Sequence, residues 1–147
     1  MISDDVAAFL IAQGVGTSSN IFAGQIPESL DSGVGVFEYQ GPPPDKIVQI
    51  EFPMFEVQVR DTSKYAAYVM AHNIYVTLNR QTDITMNGVN YKRVEASTSP
   101  MFWGKDEKQR FQFIINFNTI KTEEGILYTG PICNTNVYCN TNIYCGG

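Results

Sequence analysis

Apolar positions recur at helical spacing in two stretches of the chain. From Ser3 to Gly14, Val6, Phe9 and Leu10 fall on one face, Ser3 stands where a cap belongs, Asp4 and Asp5 sit at the positive end, and Gly14 can close the segment. The second stretch, "SKYAAYVMAHNIYVTLN", is longer and follows Asp61 and Thr62, either of which can cap it. In it Tyr65, Val69, His72 and Val76 make one stripe, which Ala66, Met70 and Ile74 widen. That stripe is expected to seat the helix on a sheet.

Elsewhere the period is two. "NIFAGQI" ends at Pro27, and "VGVFEYQG" runs from Val34 to the "GPPPD" turn. "MFEVQVRD" alternates cleanly, with Phe55, Val57 and Val59 on one face and Glu56, Gln58 and Arg60 on the other. "TDITMNGVNYKRVEA" predicts a hairpin, because Asn87-Gly88 supplies two residues that tolerate positive φ. "RFQFIINFNTI" predicts a central strand. Two helices and five or six strands, mostly adjacent in sequence, predict an α+β domain: a mostly antiparallel sheet with a long helix and an N-terminal helix packed on it. The domain is expected over residues 1–125, with an extended Cys/Asn-rich arm over 126–147.

The arm repeats a six-residue phrase, "CNTNVYCNTNIYC", from Cys133 to Cys145. In a single extended strand its cysteines stand about 20 Å apart. A disulfide needs Cα atoms within about 7 Å. A turn at Asn-Thr-Asn would allow pairing or a metal site, but would leave one thiol odd. The strand reading explains more. Cys133, Thr135, Val137, Cys139, Thr141, Ile143 and Cys145 share one face, and Asn134, Asn136, Tyr138, Asn140, Asn142 and Tyr144 share the other. Such a strand seeks a sheet edge, and that of a neighbouring subunit would serve.

Composition narrows the classes. The chain has 147 residues, enough for one domain with a real core. Hydrophobic residues at 44% and charged residues at 17% exclude a disordered chain. A formal charge of −5 argues against gripping nucleic acid through phosphates. The acidic start, "MISDDVAAFL", is unlike a secretory leader, and no apolar run approaches the roughly 20 residues that span a bilayer. With three cysteines, a reduced cytosolic history is expected.

The candidate chemistry is thin. His72, the one histidine, lies on or beside the apolar stripe and reads as a packed or partly buried structural residue, with no nucleophile or acid placed nearby. "GVGTSS" lacks the lysine of a phosphate loop and follows a helix instead of a strand, so it reads as a helix end and loop. "KDEK", from Lys105 to Lys108, reads as a solvated turn, because adjacent strand residues point to opposite faces and would not share a proton or a metal.

The succession "NIFAGQIPES", "VGVFEYQG", "FEVQVRDTSKYAAYVMAHNIYVTLN" and "NGVNYKRVEASTSPMFWGKDEKQRFQFIINFNTI" resembles the phage minor capsid proteins that act as tail terminators. The resemblance covers most of Met1 to Lys121. Its most telling pieces are Val59-Arg60, then Ala71-His72-Asn73-Ile74-Tyr75 with Leu78, then Pro100, Gly104, Asp106-Glu107, Arg110 and Asn116-Phe117. It implies a ring, typically a homohexamer, at the head-proximal end of a long tail, and a fold similar to that of tail-tube proteins. The implied partners are further copies of the chain, the tail-tube protein below and a head-completion or connector protein above. DNA would pass through the lumen without specific binding, and no membrane is involved. Neither a cofactor nor a catalytic residue is implied, and the place would be the virion, assembled in the host cytoplasm. The Cys-Asn-Thr-Asn repeat is not part of the pattern.

A protein of that kind acts through edges, hairpins and loops. "GPPPD", with Pro43, Pro44 and Asp45, and "STSPMFWGKDEK", with Met101, Phe102, Trp103, Lys105 and Asp106, are the candidate projections. A second reading packs Phe102 and Trp103 under their own loop. Val137, Tyr138, Ile143 and Tyr144 are the candidate contacts of the arm. The rivals are a tube subunit or connector stopper and, from another class, a small enzyme or ligand-binding domain.

Overall fold

The computed structural model describes residues 1–39, 41–45 and 47–122. The elements are α1 (Ile2–Ala12), β1 (Ile21–Ala23), β2 (Gly33–Tyr39), β3 (Ile50–Glu51), β4 (Met54–Asp61), α2 (Lys64–Leu78), β5 (Gln81–Met86), β6 (Val89–Ala96), β7 (Met101–Lys105) and β8 (Phe111–Thr122). The architecture is α+β, as the patterning predicts. The expected arm, with Val137, Tyr138, Ile143, Tyr144 and the cysteines, lies outside the described residues.

β8 is the spine of an eight-stranded sheet ordered β1-β2-β4-β8-β6-β5. Along one edge it pairs with β4 from Phe111 to Asn118, and with β3 at Lys121 and Thr122 in the same register. Along its other edge β7 takes the first part, with Met101 opposite Ile114, and β6 takes the later part, with Ala96 opposite Phe117. β6 and β7 are thus one run of chain, interrupted at 97–100. There the Ser97 N–H donates to the Asn116 carbonyl at 2.8 Å, and the Asn116 N–H donates to Thr98 Oγ1 at 3.1 Å. All pairings are antiparallel except β1 with β2, which is parallel.

One face of the sheet makes the core. Phe55, Val57 and Val59 of β4 are buried beside Phe113, Ile115 and Phe117 of β8. Phe55 and Phe117 are register partners whose rings stack at 4.8 Å. α1 contributes Val6 and Leu10 to this core, and α2 contributes Ala67, Ala71, Ile74 and Leu78. The Asn87-Gly88 hairpin forms between β5 and β6, with φ of 53° and 80° at its two central residues.

Several local expectations need correction. Ser3 does not cap α1. Met1 holds that position, and the Ser3 N–H and hydroxyl both donate to Glu38 Oε2, at 3.1 and 3.0 Å. The C-terminal end follows the sequence. The Gly14 N–H bonds to Ile11 O and the Val15 N–H to Leu10 O, with Gly14 at φ +76°, a conformation that costs glycine little. In α2 the cap is Ser63, whose Oγ accepts from the Ala66 N–H at 3.2 Å, while Asp61 supports it by accepting from the Ser63 N–H. The packed stripe of α2 is Ala67, Ala71, Ile74 and Leu78, spaced four, three and four residues apart. Tyr65 and Val76, expected inside, lie on the outer face, and His72 is exposed, not packed. The predicted loop "STSPMFWGKDEK" contains a strand, β7.

Candidate functional site

Two buried arginines hold the surroundings of β7 in place. Arg60 ends the alternation of β4 on the helix-free side, and Arg110 leads into β8; they are 7% and 2% exposed. Arg60 Nη2 donates to the carbonyls of Pro27 and Leu30, at 2.7 and 2.6 Å. Arg110 Nη1 donates to the carbonyls of Glu28 and Leu30, and its Nη2 donates to Glu28 Oε1 at 2.6 Å. The segment between β1 and β2 is therefore tied down by guanidinium groups that gather its carbonyls.

Asp106 completes the clamp. Its Oδ2 accepts from Arg110 Nε at 2.7 Å, and its Oδ1 accepts from the backbone N–H groups of Lys108 and Arg110. Burial raises the Asp106 carboxyl's pKa, but these hydrogen bonds outweigh it and leave the pKa below its ordinary value. Glu28 is lowered as well, by hydrogen bonds from Arg110 and Lys108 and by their charge. "KDEK" is thus the expected turn, but Asp106 faces inward to Arg110. Carboxylates held so firmly in the charged form suit a structural clamp better than proton transfer near neutral pH.

Beyond the clamp the surface is aromatic. Tyr65, 77% exposed, and Tyr68 stand on the outer face of α2, and Phe102 of β7 lies beside them. The Phe102 ring is 5.4 Å from that of Phe113, which in turn meets Tyr68 edge-on at 5.9 Å. Lys64 Nζ lies 4.4 Å from the Phe102 ring centre. His72 lies between the rings of Tyr68 and Tyr75, at 6.0 and 6.4 Å. Met101 and Trp103 flank Phe102 along β7; Met101, opposite Ile114, alternates to the other face of the sheet, and Trp103 is 64% exposed. The face has no deep pocket and no group placed to attack a substrate. What it offers is flat, apolar and partly aromatic area, which marks association surfaces.

Of the residues selected from sequence, Met101, Phe102 and Trp103 are consecutive and exposed on β7, and Phe102 stands beside the α2 aromatics. Phe102 leans on Phe113 and Phe111 while keeping nearly half its surface free, so it both packs and projects. Lys105 lies 4.9 Å from the Phe111 ring centre and donates to Gln109. Pro43, Pro44 and Asp45 sit apart, on the exposed connection between β2 and β3. There Asp45 Oδ1 accepts from the N–H groups of Ile47 and Val48 at 2.8 and 2.9 Å, and these bonds lower its pKa. The turn so formed presents Ile47, 91% exposed, and Val48. Sequence reasoning missed Ile47, Val48, Tyr65 and Tyr68 as surface groups. A signal existed for the tyrosines: a phenol keeps one end wet, whereas the Ala-Ala-Ile-Leu stripe carries no polar atom.

Among the described residues no three of His, Cys, Asp and Glu gather as a metal site, and no helix is long and apolar enough to cross a membrane. No curated protein matches the chain. Among solved structures, a chain from the virion of a native gene transfer agent particle has a similar fold. The TM-score is 0.59 at 13% identity, covering 78% of this chain and 85% of that one. Residues 9–123 match the family described as bacteriophage tail terminator protein. The match takes in the end of α1, all of α2, the whole sheet and the aromatic surface, so the chain belongs to the bacteriophage tail terminator family and is a structural protein of the virion, not an enzyme.

Proposed function

We propose that this chain forms a homohexameric ring at the head-proximal end of a phage tail, where it ends growth of the tail tube and joins the tail to the head connector. The observation that carries the reading is the exposed aromatic face shared by α2 and β7, which a solitary soluble domain has no use for. A tube grows because each ring's upper face matches the next ring's lower face. A terminator keeps one of those faces and replaces the other, so that the tube protein fits below it and only a head-completion protein fits above. The second exposed apolar site, the Ile47-Val48 turn, leads into β3 at the Thr122 end of β8, whereas β7 lies at its Phe111 end, so the two can serve different neighbours. An acidic balance of −5 lets DNA cross the lumen without specific attachment.

The test is to make phage particles without the chain. Tubes of unregulated length that fail to join heads, with one length restored when the chain is supplied, are the expected result. Complete loss of tubes would make it a tube subunit. Tails of normal length joined to heads would remove the role altogether.

A further inference from the structure

Four strands end the sheet among the described residues, and three of them are protected. β1 is only three residues long and β3 only two. β5 is interrupted at Asp83, whose φ of 49° removes it from the ladder with β6 and whose carboxylate pairs with Lys92 at 3.5 Å. Short length, irregular backbone and charge are the ordinary ways of blunting an edge. β7 is different. It pairs with β8 on one side, and no strand occupies its other side among the described residues. Its register shift falls at Trp103, so the residue displaced there is an indole and not a charge. Met101, Phe102 and Trp103 follow one another along an edge whose only charge, Lys105, stands at its end.

The chain itself holds a segment of matching chemistry. Residues 126–147 contain no Asp, Glu, Lys or Arg, and Cys133 to Cys145 alternate between a thiol and β-branched face and an amide and phenol face. Each six-residue unit of the repeat is about as long as β7. The place where the described chain stops gives the direction. β7 pairs with the first residues of β8, whereas Thr122 is its last and is held in register opposite Ile50. The chain therefore leaves β8 about 25 Å from the paired end, running away from its own β7. Residues 123–147 span roughly 80 Å if extended, enough to cross onto another molecule.

We propose that the Cys133–Cys145 segment of one subunit adds as a strand to the open edge of β7 on the next subunit, covering Met101, Phe102 and Trp103. Main-chain hydrogen bonds would hold it, and the tyrosine and β-branched faces would set which side meets the aromatic surface. The inference rests on the ring reading above, because it needs an adjacent copy.

The experiment places a photoreactive residue at the edge. Trp103→p-benzoylphenylalanine is made in the full chain, and isotopically heavy and light chains are mixed and assembled. They are then irradiated and digested, and the joined peptides are read by mass spectrometry beside the native mass of the assembly. The expected products join residue 103 to a peptide within 126–147, with heavy-to-light pairs present. Val137→Pro with Ile143→Pro, in the same full chain, should reduce that product at least tenfold while the assembly mass persists. Links only within one chain would overturn the proposal. So would links to residues 1–122 of a neighbour, an absence of links in an intact assembly, or indifference to the prolines. A single-copy mass would instead remove the ring reading on which the proposal stands.

Discussion

At the residue scale the fold depends on a few polar groups placed inside it. Asp5, on α1, is buried and accepts from the Tyr91 hydroxyl at 2.6 Å and from Asn87 Nδ2 at 3.1 Å, which ties the first helix to the β5–β6 hairpin. Tyr91→Phe removes one donor and leaves the carboxyl group with less company. A loss of about 1–3 kcal/mol in urea unfolding is expected, and a change within 0.3 kcal/mol would contradict the assignment. The arginine clamp makes a pH prediction. The carboxyl pKa values of Glu28 and Asp106 are lowered in the folded chain. Their contribution is therefore fully present above the ordinary carboxylate range, roughly pH 4, and is lost as pH falls through the lower folded values. Arg110→Met should melt below the native protein at pH 7, and the gap should narrow as pH drops below roughly 4. A gap that stays constant with pH would show that the carboxylates do not act through Arg110. Little of this was legible in the sequence. Asp5 read as a helix-end charge because its spacing says nothing about partners more than 80 residues away, and Asp106 read as a surface contact because a turn gives no sign that Arg110, four residues on, is buried.

At the element scale, alternation was the reliable guide. β4, β8 and the Asn87-Gly88 hairpin stand where the period of two and the turn residues put them, since a strand buried on one face must alternate. α2 was legible as a helix but not in its orientation. Two stripes compete on it, one of large aromatic and β-branched groups and one built on Ala67 and Ala71, and hydrophobic size favours the wrong one. The small residues win because they let the helix lie close to β4 and β8. β7 was missed because Ser97 to Pro100 read as the start of a long loop. Once the aromatic stripe is placed outside, it becomes testable. Tyr65→Ser combined with Val76→Ser should leave the unfolding free energy within about 0.5 kcal/mol, because both side chains are mostly free. The same pair should weaken self-association at least tenfold in sedimentation equilibrium. Unchanged association would move the subunit contact elsewhere on the surface.

At the scale of the whole molecule, the chain presents flat, unequal surfaces instead of a cleft. The aromatic face and the Ile47-Val48 turn differ in chemistry and lie toward opposite ends of β8. The family was legible from the order of short motifs, none of which carries chemistry. The exposed apolar surface was only half legible: Met101, Phe102 and Trp103 were singled out from the sequence, while Tyr65 of α2 had been assigned to the core. The most direct measurement of the central claim is electron cryomicroscopy of intact virions, with this chain located by its fold. The account predicts one ring of six copies in each particle, set between the tail tube and the head connector. Copies stacked along the length of the tube, or a lone subunit at any position, would contradict it.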